Sequence, residues 1–183
     1  MSDTTPQKRS SRVKPSPQPN AVAQIYEGYK GGDKMPLAGY ASLVGIYSAA
    51  YGSLLLAATQ SGRELPERIG YGDLVLLSIA THKLSRIITK DRVTSPLRAP
   101  FTEFEKPAGT SEVSEKSRGT GMQRAVGDLL ICPWCMSPWV AGALVFGLVF
   151  KPRATRIIGG ILAAATVSDL LHYADDAIKK ATE

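Results

Sequence analysis

The chain has 183 residues, of which 44% are hydrophobic, and its formal net charge is +6 at pH 7. A positive chain can bind nucleic acid or an anionic membrane surface, but no segment interleaves aromatic residues with Lys and Arg, which argues against nucleic acid. Two cysteines are too few to staple a fold of this size, so a disulfide-rich secreted domain is excluded as well.

The N-terminal segment differs in composition from the rest of the chain. Residues 1–36 are rich in Ser, Pro, Gln, Lys and Arg and poor in apolar residues. Such a segment cannot bury enough apolar surface to fold, so we predict a disordered basic tail over these 36 residues. No apolar run directly follows its basic residues, and a signal peptide is therefore not expected.

Apolar runs predict four helices after this tail. Residues 37–59 contain no charge, and 23 residues at ~1.5 Å each can span a hydrocarbon core of ~30 Å. The other helices are predicted over residues 71–89, 128–150 and 154–177. The expected fold is therefore an all-α, four-helix integral membrane bundle over residues 37–177. Its loop over residues 90–127 is expected to be mobile from residue 109 to 121.

The distribution of Lys and Arg predicts the orientation of this bundle. Fifteen of the 22 lie in the tail, the long loop and the C-terminus, whereas five lie in the two short turns between helices. Cytoplasmic segments of membrane proteins carry the excess of positive charge. Both termini, the long loop and the cysteines are therefore expected on the cytoplasmic side of a bacterial cytoplasmic membrane.

Two predicted helices carry charges at a similar depth. Arg86 lies 15 residues into the second helix and Asp169 lies 15 residues into the fourth, about 22 Å from the outer end of each. A charge inside a membrane needs a partner, so we predict an Arg86–Asp169 pair between these helices. With Asp128 these residues would form a structural polar cluster, and His82 and His172 lie about one turn from the predicted pair.

Both cysteines lie in a Cys-Pro-Trp-Cys motif at the start of the third predicted helix, where Cys132 and Cys135 are redox candidates. A thiolate at a helix N-terminus is stabilised by exposed N–H groups and the helix dipole. Glutaredoxins have a similar motif, but it follows a β-strand, which the pattern here does not predict. Quinone-linked membrane thiol oxidases are also four-helix bundles, but they use a second cysteine pair and face the oxidising side.

Zinc is the alternative use of this motif. The two cysteines can supply two tetrahedral ligands, and His82, His172 or a second copy of the chain could supply the others. Reduced, packed cysteines with no cofactor remain the principal interpretation. A phage holin-like pore former is a third hypothesis, because intramembrane charges would suit a hydrated lesion.

Three stretches together resemble a known bacterial family. They are T-H-K-L-S-R-I-I-T-K-D-R-V-T-S-P-L-R-A-P-F-T from residue 81, G-D-L-L-I-C-P-W-C-M-S-P-W-V-A from residue 127, and the S-D-L-L-H that ends at His172. Over residues 71–173 this combination is similar to the family called domain of unknown function 1360. The resemblance implies a small bacterial membrane protein, of a kind sometimes linked to sporulation or carried by phages, and no established activity.

The function expected from these observations is a non-enzymatic structural or accessory membrane component. Its expected partners are the lipid bilayer and either another protein or further copies of the chain. The alternative is a thiol-redox or zinc-binding membrane protein that uses Cys132 and Cys135.

Overall fold

The computed structural model describes residues 21–30, 35–62 and 65–182, and the description below is confined to them. The elements in chain order are α1 (Ala21–Lys30), α2 (Leu37–Gln60), α3 (Tyr71–Thr89), a 3₁₀ turn (Arg92–Thr94), α4 (Ser95–Arg98), β1 (Thr102–Pro107), β2 (Val113–Ser117), α5 (Gly121–Ile131), α6 (Pro133–Phe150) and α7 (Pro152–Thr182). The predicted mainly helical fold is confirmed.

The N-terminal unit contains helix α1, which is ten residues long and lies within the segment predicted to be disordered. The remainder of that predicted tail lies largely outside the described residues. Helices α2 and α3 begin at the predicted residues, because charged and Pro- or Gly-containing segments interrupt the apolar pattern on either side.

The core of the larger unit lies between α3, α6 and α7. Its buried apolar side chains come from all three helices, and Ala80 of α3 is completely enclosed. The cluster of buried apolar residues is Leu77, Ala80, Met136, Val140, Leu144 and Leu162. Small residues allow the close contacts, since a Cβ at Gly159 would lie 3.2 Å from the side chain of Leu76.

Within the described residues, three helices are long and apolar enough to cross a membrane: α2, α6 and α7. Helix α3 is not among them, and it carries Asp73, Lys83 and Arg86 in 19 residues. It is nevertheless the helix that packs against both α6 and α7. The charged helix therefore lies against two apolar helices, and its exposed surface is greatest in its first turns, at Tyr71, Leu74 and Val75.

The predicted third helix, 128–150, is wrong as a single element. It is divided into α5 and α6 at Cys132, whose backbone is extended with φ −111° and ψ 103°. The cause is Pro133, because the ring of a proline disfavours the helical conformation in the residue before it. Proline itself is well placed at the first position of α6, where its missing N–H is not needed.

The long loop is also more ordered than predicted, and the fold is not purely helical. Strands β1 and β2 form an antiparallel hairpin, with Thr102 opposite Ser117 and Pro107 opposite Val113. A bulge between Phe104 and Lys106 interrupts the register. Helix α5 packs on β2, so the hairpin, α4 and α5 form a polar module that joins the end of α3 to the start of α6.

Helix α2 is attached to this unit through a close backbone contact at Gly39. A Cβ at this position would lie 2.7 Å from the Cβ of Ala125 and 2.9 Å from the carbonyl oxygen of Gly121. Gly45, two turns along the same helix, has no atom within 4 Å of the equivalent position. The two glycines thus provide a matched test of how α2 docks.

We expect Gly39→Ala to destabilise the protein by about 1–3 kcal/mol, because the added methyl group must displace α5. Gly45→Ala should be neutral or stabilise by up to about 1 kcal/mol, because alanine is the better helix former. Thermal unfolding of both variants in mild detergent measures the difference. Equal midpoints for the two variants would contradict the close contact between α2 and α5.

Candidate functional site

The two cysteines occupy the junction between α5 and α6. Cys132 is the N-cap of α6, and its Sγ accepts a hydrogen bond from the backbone N–H of Cys135 at 3.2 Å. The two residues are joined as a disulfide, with their Cα atoms 5.3 Å apart. Cys132 is half-buried and Cys135 is exposed, so the pair is accessible from one side.

A cleft of about 460 Å³ borders this pair and lies between α2, α5 and α6. Its walls are mainly apolar and aromatic, and they also include Asp128, Cys135 and two tyrosines. The lining residues are Tyr40, Leu43, Val44, Tyr47, Ala125, Asp128, Leu129, Cys135, Pro138 and Trp139. Two hydrogen-bonded contacts, at Tyr40 and at Tyr51, join α2 to the helices on the other side of the cleft.

The first contact point is at the N-terminal end of α2. Next to Gly39, the hydroxyl of Tyr40 donates a hydrogen bond to Oδ2 of Asp128 at 2.7 Å. A hydrogen bond to a charged acceptor is among the stronger ones in proteins. This bond therefore links α2 directly to the last turns of α5.

The second contact point is about three turns further along α2. The hydroxyl of Tyr51 donates a hydrogen bond to the backbone carbonyl of Trp139, and its ring stacks on Phe146 with centroids 5.7 Å apart. The Tyr51 ring lies over Gly142, where a Cβ would come within 2.5 Å of it. Tyr47 meets the Trp139 ring edge-on at 5.1 Å, which closes this end of the cleft.

Asp128 connects the cleft to the polar module. Its Oδ1 accepts hydrogen bonds from the hydroxyl of Ser117 at 2.5 Å and from Nε of Arg124 at 3.3 Å. With Tyr40, these contacts join α2, β2 and α5 at one carboxylate. The hairpin can approach because Gly127 has no side chain, since a Cβ there would lie 2.5 Å from the carbonyl oxygen of Phe101.

The hairpin is held in turn by a buried ion pair between Arg98 and Glu115. The exposed fractions of these side chains are 1% and 5%, and two Arg98 nitrogens contact the Glu115 carboxylate at 2.7 and 3.1 Å. Arg98 also donates to the carbonyl oxygens of Ile88 and Asp91 and to the hydroxyls of Thr94 and Ser95. The guanidinium thus ties the end of α3, α4 and β2 together.

The charge state of Glu115 depends on this pair. Burial would raise the pKa of Glu115, but the hydrogen bonds and charge of Arg98 outweigh it, with smaller contributions from the hydroxyls of Thr102 and Ser95. The net result is a pKa below the usual value. Glu115 therefore stays ionised in the folded protein.

The predicted Arg86–Asp169 pair is wrong. Arg86 pairs with Glu112, at the start of the second half of the hairpin, and Asp169 pairs with Lys83 at 2.6 Å. Lys83 lies three residues before Arg86 on α3, so the two side chains are neighbours on the surface of the helix. The partner of Arg86 lies in the loop that we expected to be mobile, so depth alone could not reveal it.

The predicted polar cluster is therefore divided among separate contacts. Arg86, Asp169 and Asp128 each have partners of their own. Across residues 21–30, 35–62 and 65–182, no three His, Cys, Asp or Glu side chains form a group that could hold a metal ion. His82 and His172 thus do not complete a metal site with the cysteines in one chain, and zinc shared between two copies stays a prediction.

Several residues that build the site were not identified from the sequence. They are Arg98, Glu115, Tyr40 and Ser117. The signal for Arg98 was local: a Ser-Pro-Leu-Arg turn follows the 3₁₀ turn after α3 and places the arginine beside the carbonyl of Ile88 at the end of that helix. No comparable local signal marks Tyr40 or Ser117.

Comparison with known proteins extends the earlier resemblance. A family model described as "Protein of unknown function (DUF1360)" matches residues 76–175. Sporulation protein YjcA of Bacillus subtilis is 36% identical over 101 residues, which is 54% of this chain and 86% of the relative. UPF0713 protein YngL of the same organism is 28% identical over 109 residues, or 59% of this chain and 82% of the relative. No solved structure matches the chain.

The family model covers most of α3, all the elements from α4 to α6 and most of α7, and it leaves α2 outside. Arg98, Glu115, Asp128 and both cysteines lie within the matched residues, whereas the α2 wall of the cleft does not. The cysteine pair and the polar module therefore belong to the part of the chain that is similar to its relatives.

The Arg98–Glu115 pair should make stability depend on acidity. Because the pKa of Glu115 is lower in the folded state, its contribution is complete above the ordinary value of 4.5 and is lost as the pH falls through the folded pKa. We expect wild type to exceed Glu115→Gln in melting temperature at pH 7. The difference should shrink below about pH 4.5.

Glu103→Gln is the matched control, because Glu103 lies on the same hairpin in an exposed pair with Lys116 and should contribute only about 0–1 kcal/mol. Melting temperatures of the three proteins in detergent, measured from pH 3.5 to 7, give the comparison. If Glu115→Gln lowers the melting temperature as little as Glu103→Gln does at every pH, the buried pair does not hold the module.

Proposed function

The chain belongs to the DUF1360 family of proteins of unknown function, and we propose that it is a multi-pass component of the bacterial cytoplasmic membrane. In this proposal it acts as a non-enzymatic accessory protein that works through contacts with partners. The single observation that carries the proposal is the set of three apolar helices that are long enough to span a bilayer and have mainly exposed surfaces.

The exposed surfaces of these helices support insertion. Val44 of α2 is 66% exposed and Ile157 of α7 is 65% exposed, and similar apolar side chains continue along both helices. Large contiguous apolar surfaces are a liability for a protein in water, whereas lipid chains cover them without cost.

The pairing of charges supports α3 as a fourth spanning helix. Lys83 contacts Asp169 of α7, and Asp73 accepts two hydrogen bonds from Arg156 of α7, both at 2.8 Å. Charges within a membrane are tolerated when they face protein and are paired. Helix α3 has this arrangement because α6 and α7 flank it.

The polar module supports an orientation. It lies at the C-terminal end of α3, and the excess of Lys and Arg in its segment favours the cytoplasmic side. Beside the end of α3, Val93 and Leu97 are 84% and 76% exposed and four residues apart on one helical face. Their position suits the boundary between headgroups and acyl chains, where amphipathic turns lie along the membrane surface.

The name of YjcA supports sporulation as the process in which such a component acts, since that relative is covered over 86% of its length. The Arg86–Glu112 and Arg98–Glu115 pairs hold the module as an ordered platform. We propose that partners bind this platform at the cytoplasmic surface.

Single-cysteine labelling tests the proposed topology. In a Cys132→Ser, Cys135→Ser background, Thr110→Cys places a thiol in the hairpin turn, and Glu67→Cys places one in the turn between α2 and α3. Both positions are exposed. A membrane-impermeant maleimide should label Glu67→Cys in intact cells and Thr110→Cys only after permeabilisation.

The opposite pattern would invert the proposed orientation and remove the module from the cytoplasm. Labelling of both positions in intact cells, or of neither, would contradict an odd number of crossings between them, since α3 is the helix that separates the two sites. Detection of the full-length chain in the membrane fraction controls for expression.

A further inference from the structure

The cleft beside the cysteines is a lateral opening in the proposed membrane protein. Tyr40 and Tyr51 mark the two contact points of α2, and 11 residues of helix separate them by about 16 Å. Between them, Leu43 and Val44 form one wall and Leu129, Pro138 and Trp139 lie opposite. Because α2 and α6 are both apolar enough to span a membrane, the opening faces the acyl chains.

The chemistry of the lining defines what fits. A volume of about 460 Å³ is in the range of small-molecule sites, and the walls offer aromatic rings and aliphatic groups. The polar side chains of the lining are few: Asp128, Cys135 and the two tyrosines, of which Tyr40 donates a hydrogen bond to Asp128. The matching ligand has an apolar body and one polar, planar head that reaches the cysteine sulfur.

The state of the cysteines adds a chemical requirement. Cys132 and Cys135 are close enough to form a disulfide, and Cys135 is the member of the pair that lines the cleft. The N–H of Cys135 points at the sulfur of Cys132, which favours a thiolate there once the bond is reduced. A ligand in this cleft therefore lies in contact with a pair that can give or take two electrons.

We propose that the cleft binds a membrane quinone, which sets the redox state of Cys132 and Cys135. In the forward step the two thiols lose two electrons and two protons, a sulfur–sulfur bond forms, and both quinone carbonyls become quinol hydroxyls. In the return step a reducing dithiol of the cytoplasm cleaves the disulfide by thiol–disulfide exchange and is itself oxidised to a disulfide.

This inference rests on the membrane insertion proposed above and adds a redox activity to the accessory role proposed there. It suits a pair on the cytoplasmic side. Disulfides in that compartment are usually transient and either catalytic or redox-sensing. One cysteine pair is sufficient for such a switch, because the two half-reactions use the same two sulfurs in turn. A relay through a second pair is not required.

The test uses the full-length protein in lipid nanodiscs, reduced with a phosphine, freed of reductant and kept without oxygen. A short-chain benzoquinone whose ring carbons are all substituted, and which therefore cannot add to a thiol, is then added. Free thiols are followed by a gel shift with a polymer-linked maleimide, before and after reduction with dithiothreitol. We expect loss of both thiols with one quinone reduced per chain. The Cys132→Ser, Cys135→Ser protein should reduce none.

A matched pair of substitutions on α2 tests the cleft itself. Val44→Trp fills the cleft, and Ile46→Trp adds the same ring at an exposed position that does not line it. Val44→Trp should slow quinone-dependent oxidation about tenfold, because a displaced reactant loses its reactive geometry, and Ile46→Trp should leave the rate unchanged. Oxidation by the water-soluble reagent diamide should be equal in both variants.

Equal quinone rates in the two variants would overturn the assignment of the cleft, and thiols that persist in the presence of quinone would overturn the redox role. Either result could occur in a protein whose labelling pattern confirms the proposed topology. Failure of the inference is thereby distinguishable from failure of the proposed function.

Discussion

The buried ion pair between Arg98 and Glu115 is the interaction on which the rest of the structure depends. An arginine removed from water is stable only when its donors are satisfied, and here the Glu115 carboxylate, backbone carbonyls and hydroxyls satisfy them. Because these acceptors come from α3, α4 and β2, the pair specifies how the hairpin folds back on the helix. Ser117 of β2 is thereby brought to Asp128, and Asp128 in turn holds Tyr40 of α2.

In the membrane location that we propose, the attachment of α2 follows the rules of packing in lipid rather than in water. Apolar side chains gain little by leaving acyl chains, so helices associate through small residues and hydrogen bonds. Gly39 and Gly142 allow close approach, and the hydroxyls of Tyr40 and Tyr51 supply the bonds. The space between these two contacts is lined by α2, α5 and α6 and forms the cleft beside Cys135.

Much of the fold could be predicted from the sequence. The parts that could not be predicted have a common cause. Apolar runs between charged or Pro- and Gly-containing segments determine where α2 and α3 begin, because the signal is local. The hairpin was missed because its strands are short and each contains few apolar residues, so no period-two apolar pattern marks them. Its pairing depends on Arg98 and on α5, which lie outside the strands.

For the candidate site, the sequence alone determined that Cys132 and Cys135 lie at the start of a helix, that Asp128 precedes them by one turn, and that the surrounding helices are apolar. These features depend on residues within a few positions of one another. Only the tertiary structure decided that Arg86 pairs with Glu112 and Lys83 with Asp169, and that α2 leaves a cleft beside Cys135. Charge pairing and cavity shape depend on which distant surfaces meet. Lys83 and Arg86 are neighbours on α3, and only the packed fold decides which of them pairs with Asp169.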